Sequence, residues 1–93
     1  MFSNMRYIYK IYKEGSFSKA AKDLYISQPS LSATVKKVEQ KIGMPLFERS
    51  TNPIQLTECG KQYIKTAEQL MNLEEQFANY VEDLNELKVG HLA

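Results

Sequence analysis

Only one cysteine, Cys59, and one histidine, His91, occur in the 93 residues, so there is no intramolecular disulfide and no spacing that would hold a metal. Cys59 reads as a small packed residue rather than a nucleophile. No run of about 18 apolar residues is present, and the amino terminus lacks the basic-then-apolar order of a signal peptide. Membrane insertion and secretion are therefore not expected, and the cytoplasm is the expected location. No acids, bases or nucleophile gather into a pattern that points to catalysis, so neither an enzyme nor a cofactor is expected. Glycine and proline are scarce, four and three respectively, and each one therefore serves as punctuation.

The net charge of +1 conceals an asymmetry: residues 1–65 carry eleven Lys and Arg against five Asp and Glu, whereas residues 66–93 carry one against six. A basic head on an acidic tail suits a polyanion partner for the head, because surface lysines and arginines displace counterions from phosphate. Two ordinary solvated faces would give the same count. Charge alone leaves both readings open.

Phe2, Met5, Ile8, Tyr9, Ile11 and Tyr12 recur at helical steps and predict a first helix from near Ser3 to Glu14, ended by Gly15. Ser16 is placed to cap a short second helix whose Phe17, Ala20, Ala21 and Leu24 form a buried side. Ser27 caps a third, about residues 28–42, with Pro29 in its first turn, Leu31, Val35, Val38 and Ile42 inward, and Gly43 at its end. From Met44 to Thr57 the helical period disappears. Apolar pieces at Leu46–Phe47 and Ile54–Leu56 flank Ser50-Thr51-Asn52-Pro53, which predicts a small hairpin. Thr57 then caps a fourth helix of about 30 residues, roughly 45 Å long, more than so small a domain can cover. Its stripe of Tyr63, Ala67, Leu70, Glu74, Phe77, Val81, Leu84 and Lys88 alternates steps of four and three and calls for a partner helix. An antiparallel pair would bring the acidic carboxy-terminal half of one helix toward Lys61 and Lys65 of the other.

Two helices joined by a short turn, with small residues Ala20 and Ala21 at the crossing, predict a helix-turn-helix. The outward face of the third helix is Pro29, Ala33, Lys36, Lys37 and Gln40, led by Gln28 and Ser30. Gln28 is the candidate base reader, since an amide matches the N6 and N7 pattern of adenine. Pro29 offers apolar contact, and Ser27, Ser30 and Ser32 add hydroxyl donors at the helix's leading end. A plain solvated helix face remains the competing reading of each residue taken singly. A winged module for protein–protein contact, with the acidic helix as its main surface, is the competing reading of the whole.

The stretches GSFSKAAKDL from Gly15, SQPSLS from Ser27, PLFER from Pro45 and LTECG from Leu56 resemble the signature of LysR-type transcriptional regulators, in the same order and spacing. The resemblance implies a mainly α fold, a winged helix-turn-helix of three helices and a small β-hairpin wing, followed by a long linker helix that pairs in a homodimer. It also implies sequence-specific binding of promoter double-stranded DNA, with room for a tetramer in a full-length protein and a small-molecule inducer bound by a sensor domain absent from this chain. On that basis residues 1–57 are the DNA-binding domain, 58–89 the linker and dimerisation helix, and 90–93 the lead into the sensor domain. The expected DNA-binding residues are Ser27, Gln28, Pro29, Ser30, Ser32, Ala33, Lys36, Lys37, Arg49 and Asn52; Tyr63, Ala67, Leu70, Phe77, Val81 and Leu84 are expected to form the dimer seam. Ala33 stands on the outward face of the third helix where many family members carry arginine or another long polar residue, and Asn52 stands in the wing where many carry arginine; the second departure weakens the case for groove entry by this wing. Arg49 has two open roles, gripping phosphate or bracing the hairpin.

Overall fold

The computed structural model describes residues 1–89, with side chains as far as residue 87. The expected lead into a sensor domain at 90–93 and the seam position of the Lys88 side chain lie outside the described residues. Four helices and one two-stranded sheet follow in order: α1 (Met5–Glu14), α2 (Phe17–Asp23), α3 (Gln28–Ile42), β1 (Phe47–Glu48), β2 (Gln55–Leu56) and α4 (Glu58–Val89). This is the mainly helical winged helix-turn-helix with a long following helix that the sequence predicts.

The punctuation is local and specific. Gly15 ends α1 in the left-handed region, φ 69°, and its N–H donates to the Ile11 carbonyl. Ser16 Oγ accepts from the Lys19 N–H at 3.2 Å, and Ser27 Oγ accepts from the Ser30 N–H at 3.2 Å, so both predicted caps form. Gly43 closes α3 at φ 93°. The first helix starts two residues later than expected because the Phe2 carbonyl accepts from the Met5 N–H in a preceding turn. After α2 a tyrosine takes the place usually given to glycine: Tyr25 sits at φ 58°, while the Ile26 N–H reaches back to the Ala21 carbonyl. Left-handed backbone costs a non-glycine residue about 1–2 kcal/mol.

The core draws on every element. Ile8 and Ile11 of α1, Ala20 and Ala21 of α2, and Leu31, Val35 and Val38 of α3 are buried together with Leu46 and Phe47. Phe17 meets Phe47 edge to face at 5.7 Å between centroids, which fastens the hairpin to α2. In the hairpin Phe47 pairs with Leu56 and Glu48 with Gln55, antiparallel, so the apolar side faces the core.

The first turns of α4 complete this core, and the rest of the helix leaves it. Tyr63, Ile64 and Ala67 are buried; Tyr63 stacks on Phe2 at 4.6 Å and donates to the Met1 carbonyl at 2.8 Å. Gly60 is needed here because a Cβ would collide with the Leu46 carbonyl oxygen. Arg6 pairs with Glu74, and the Tyr9 hydroxyl donates to Glu68 at 3.2 Å, tying α1 to the next turns. With 32 residues, α4 runs about 48 Å at 1.5 Å per residue, and the molecule measures 58 × 25 × 21 Å.

Candidate nucleic-acid interface

The recognition surface starts from the amphipathic division of α3. Leu31, Val35 and Val38 are buried against α1 and α2, so the opposite side must face outward. Gln28, Pro29, Ser30, Ala33, Lys36, Lys37 and Gln40 are all exposed there, as is the cap Ser27, while Ser32 is half-buried. The Ser27 hydroxyl is occupied within the cap, donating to Ser30 Oγ at 2.9 Å. Pro29 sits in the first turn, where its missing N–H leaves no helix bond unmade.

A cleft of about 350 Å³ opens between the leading end of α3, the start of α2 and the wing. Gln28 and Ser32 line it from α3, Arg49 and Asn52 from the wing, and Ser16 and Ser18 from the start of α2. The structure thus brings together four of the expected residues that lie far apart in sequence, and adds Ser16, Ser18 and Thr51, which sequence reasoning missed. The Ser-x-Ser of the second helix start was visible, but only tertiary packing places it beside the wing. Lys36 and Lys37 diverge. Lys36 lines a second hollow with Gln40 and Met44, whereas Lys37 lines a third with Lys41 and Asn4.

Ion pairs sort the basic residues. Arg6 is paired with Glu74, Lys10 with Asp23 at 3.3 Å and Glu14 at 3.6 Å, and Lys61 with Glu58 at 3.1 Å. The hydrogen bond to Asp23, helped by Glu14, raises the Lys10 ammonium above its ordinary range. Lys36 and Lys37 enter no ion pair among the described residues. Arg49 is held from two sides, donating to Glu39 Oε1 at 3.2 Å and lying 5.0 Å from the centre of the Phe17 ring. It braces the hairpin, and it also borders the cleft.

The expected dimer seam needs correction at its inner end. Tyr63 and Ala67 are 4% and 0% exposed, packed within the head of their own chain, and so are not open to a partner helix. Glu74 of the predicted stripe faces Arg6. At 100° per residue the head-facing positions 60, 63, 64, 67 and 71 centre roughly 110° around the helix from the exposed apolar ones. Leu70, Phe77, Val81 and Leu84 do lie on the open side, joined by Leu73, Tyr80 and Leu87, with Phe77 67% exposed. The sequence stripe therefore divides along the helix axis: its inner turns pack on the head, and its outer turns are open. Among the described residues no helix is long and apolar enough to cross a membrane, and no cluster of His, Cys, Asp or Glu could hold a metal.

An outward recognition helix, a cleft at its leading end and a wing beside it define a helix-turn-helix protein of the winged class. Residues 2–61 match the family described as bacterial regulatory helix-turn-helix protein, lysR family, and the chain belongs to it. It is 42% identical over 88 residues to a probable RuBisCO transcriptional regulator of Cyanidioschyzon merolae, covering 95% of this chain and 29% of that protein. With the protein of that description from Synechocystis sp. it shares 38% identity over 88 residues, 95% of this chain and 26% of the relative. The chain thus spans less than a third of these relatives' length. Among solved structures it is similar to the BenM DNA-binding domain in complex with catB site 1 DNA, at TM-score 0.83 and 29% identity over 91% of this chain and 96% of that one. It is likewise similar to CbnR, a LysR family transcriptional regulator, at TM-score 0.77 and 27% identity over 88% of this chain and 28% of that one.

Proposed function

We propose that this chain is the promoter-reading and dimerising portion of a cytoplasmic transcriptional regulator, without enzymatic activity of its own. The observation that carries the reading is the exposed outer side of α3 with a cleft at its leading end that brings Gln28, Arg49 and Asn52 together. In this reading residues 1–57 bind double-stranded DNA and α3 lies in the major groove. Gln28 reads a base, Pro29 and Ala33 make apolar contact, Ser30, Ser32, Lys36 and Lys37 hold phosphates, and Ser27, its hydroxyl engaged in the cap, offers its backbone N–H at the same end of the helix. Arg49 positions the wing, and Asn52 adds a polar DNA contact from it. Residues 58–89 form the dimer helix, packed antiparallel through Leu70, Phe77, Val81 and Leu84; 90–93 lead to a sensor domain for a small-molecule inducer. The names of the relatives support the class, a transcriptional regulator, and leave the regulated gene open.

Support comes from Lys36 and Lys37 on the outer side of α3, which have no ion-pair partner among the described residues, and from the family's DNA-bound structures. The test is selection of bound fragments from random duplex DNA, followed by titration against salt. Enrichment of a spaced, partly palindromic site is expected, with affinity falling as salt rises. No enrichment together with salt-independent binding would overturn the proposal.

A further inference from the structure

We propose that Glu39 is a positioning residue that sets the wing against the recognition helix, acting on DNA only through Leu46 and Arg49. The inference rests on the DNA-binding reading above and deepens it. Glu39 lies in the carboxy-terminal half of α3, on the helix that carries Gln28, yet its carboxylate is turned into the molecule, with the side chain 11% exposed. Its two oxygens have different tasks. Oε2 accepts the Leu46 backbone N–H at 2.7 Å, where the chain enters the wing, and Oε1 accepts from Arg49 at 3.2 Å, just past β1.

Leu46 is the junction of the whole assembly. Its side chain is buried, its carbonyl accepts the Thr57 N–H at 3.0 Å, and Gly60 packs on that same carbonyl. One residue, through the peptide groups on either side of it, thus joins the recognition helix, the wing and the long helix. Arg49, held between Glu39 and the Phe17 ring, borders the cleft shared with Gln28 and Asn52. A two-residue strand pair is too short to fix its own orientation. A charge-assisted fork from a largely covered carboxylate supplies what the ladder lacks.

The proposal and simple electrostatics predict opposite signs. A carboxylate beside a polyanion site should weaken binding, so if charge were all that mattered, Glu39→Gln would free Arg49, tighten DNA binding and steepen its salt dependence. If Glu39 positions the wing, the same change weakens binding about tenfold. The loss should be local. Hydroxyl-radical protection beneath the wing should fade in Glu39→Gln and vanish in Glu39→Ala, while base protection in the major groove under α3 persists. Tighter binding, an unchanged footprint, or an equal loss of protection everywhere would each overturn it.

A second measurement needs no DNA. In the free protein, Glu39→Ala should speed hydrogen exchange at the Leu46 amide by about tenfold or more, with α1 and α2 amides unchanged. Unchanged exchange at Leu46 would overturn the proposal on its own. If the unsubstituted chain showed no selective footprint, the DNA-binding reading would fail, whatever the exchange result.

Discussion

Residues 60–67 and residues 70–87 belong to one unbroken helix, yet they live in different surroundings. In the first stretch Gly60, Tyr63, Ile64 and Ala67 are buried against the wing, α1 and the amino terminus. In the second, Leu70, Leu73, Phe77, Tyr80, Val81, Leu84 and Leu87 are all exposed. The difference separates two kinds of specification. Close backbone approach and satisfied polar groups hold the inner stretch in a single conformation. The outer stretch has helical periodicity and apolar area, and its geometry depends on what covers it.

The largest expected effect removes that cover. Phe77→Asp combined with Leu84→Asp places four carboxylates in a symmetric interface that would otherwise bury four large side chains, each worth roughly 1.5–3 kcal/mol. Sedimentation at tens of micromolar should find the parent chain dimeric and the double variant monomeric, with the head still melting cooperatively. A parent chain already monomeric, or a variant still dimeric, rejects the outer seam.

Next in size is the inner stretch itself. Gly60→Ala drives a methyl group into the Leu46 carbonyl, a backbone atom that no rotamer change can move aside. A destabilisation of about 3 kcal/mol is expected, read from the urea midpoint. Loss below about 0.5 kcal/mol would mean that α4 is free to shift on the wing, and that its two halves differ less than their packing implies. At the recognition end, Gln28→Ala should cost about 1–3 kcal/mol at the preferred site and relax choice at one base pair, with binding to random DNA little changed. Equal weakening on both would remove Gln28 as a base reader.

What the sequence disclosed follows the same divide between local and distant causes. Ser16, Ser27, Thr57, Gly15 and Gly43 act within a turn or two, so spacing alone marked the helix ends. Thr57 Oγ1 does accept the Gly60 N–H, at 2.9 Å. Tyr25 escaped notice because a left-handed tyrosine carries no compositional mark. The seam was placed too far inward because periodicity gives a helix its apolar sides and does not say which turns its own head will cover. Ser16 and Ser18 joined the cleft, and Glu39 joined the wing, through contacts between elements that no local pattern encodes. The roles left open for Arg49 turned on the same distant partners, Glu39 and Phe17.

The smallest expected effect probes the boundary at Tyr63. Burial pushes its phenol up to about 12, against 10.0 for the free side chain. In the folded chain the phenol therefore keeps its proton across that interval, while in the unfolded chain it gives the proton up. The unfolded state binds fewer protons there, so stability declines as pH rises from about 10 toward 12. Below about pH 10 both states hold the proton, and the phenol adds no pH dependence. Tyr63→Phe keeps the stacking surface toward Phe2 and removes the titrating group along with the bond to the Met1 carbonyl. It should lower stability by about 1 kcal/mol at neutral pH and flatten the alkaline limb of the urea midpoint. The sequence holds five other tyrosines, and their ionisation is common to both proteins and cancels in the comparison. Parallel limbs would mean that Tyr63 is open to water, and that the inner half of α4 is less firmly joined to the head than its packing indicates.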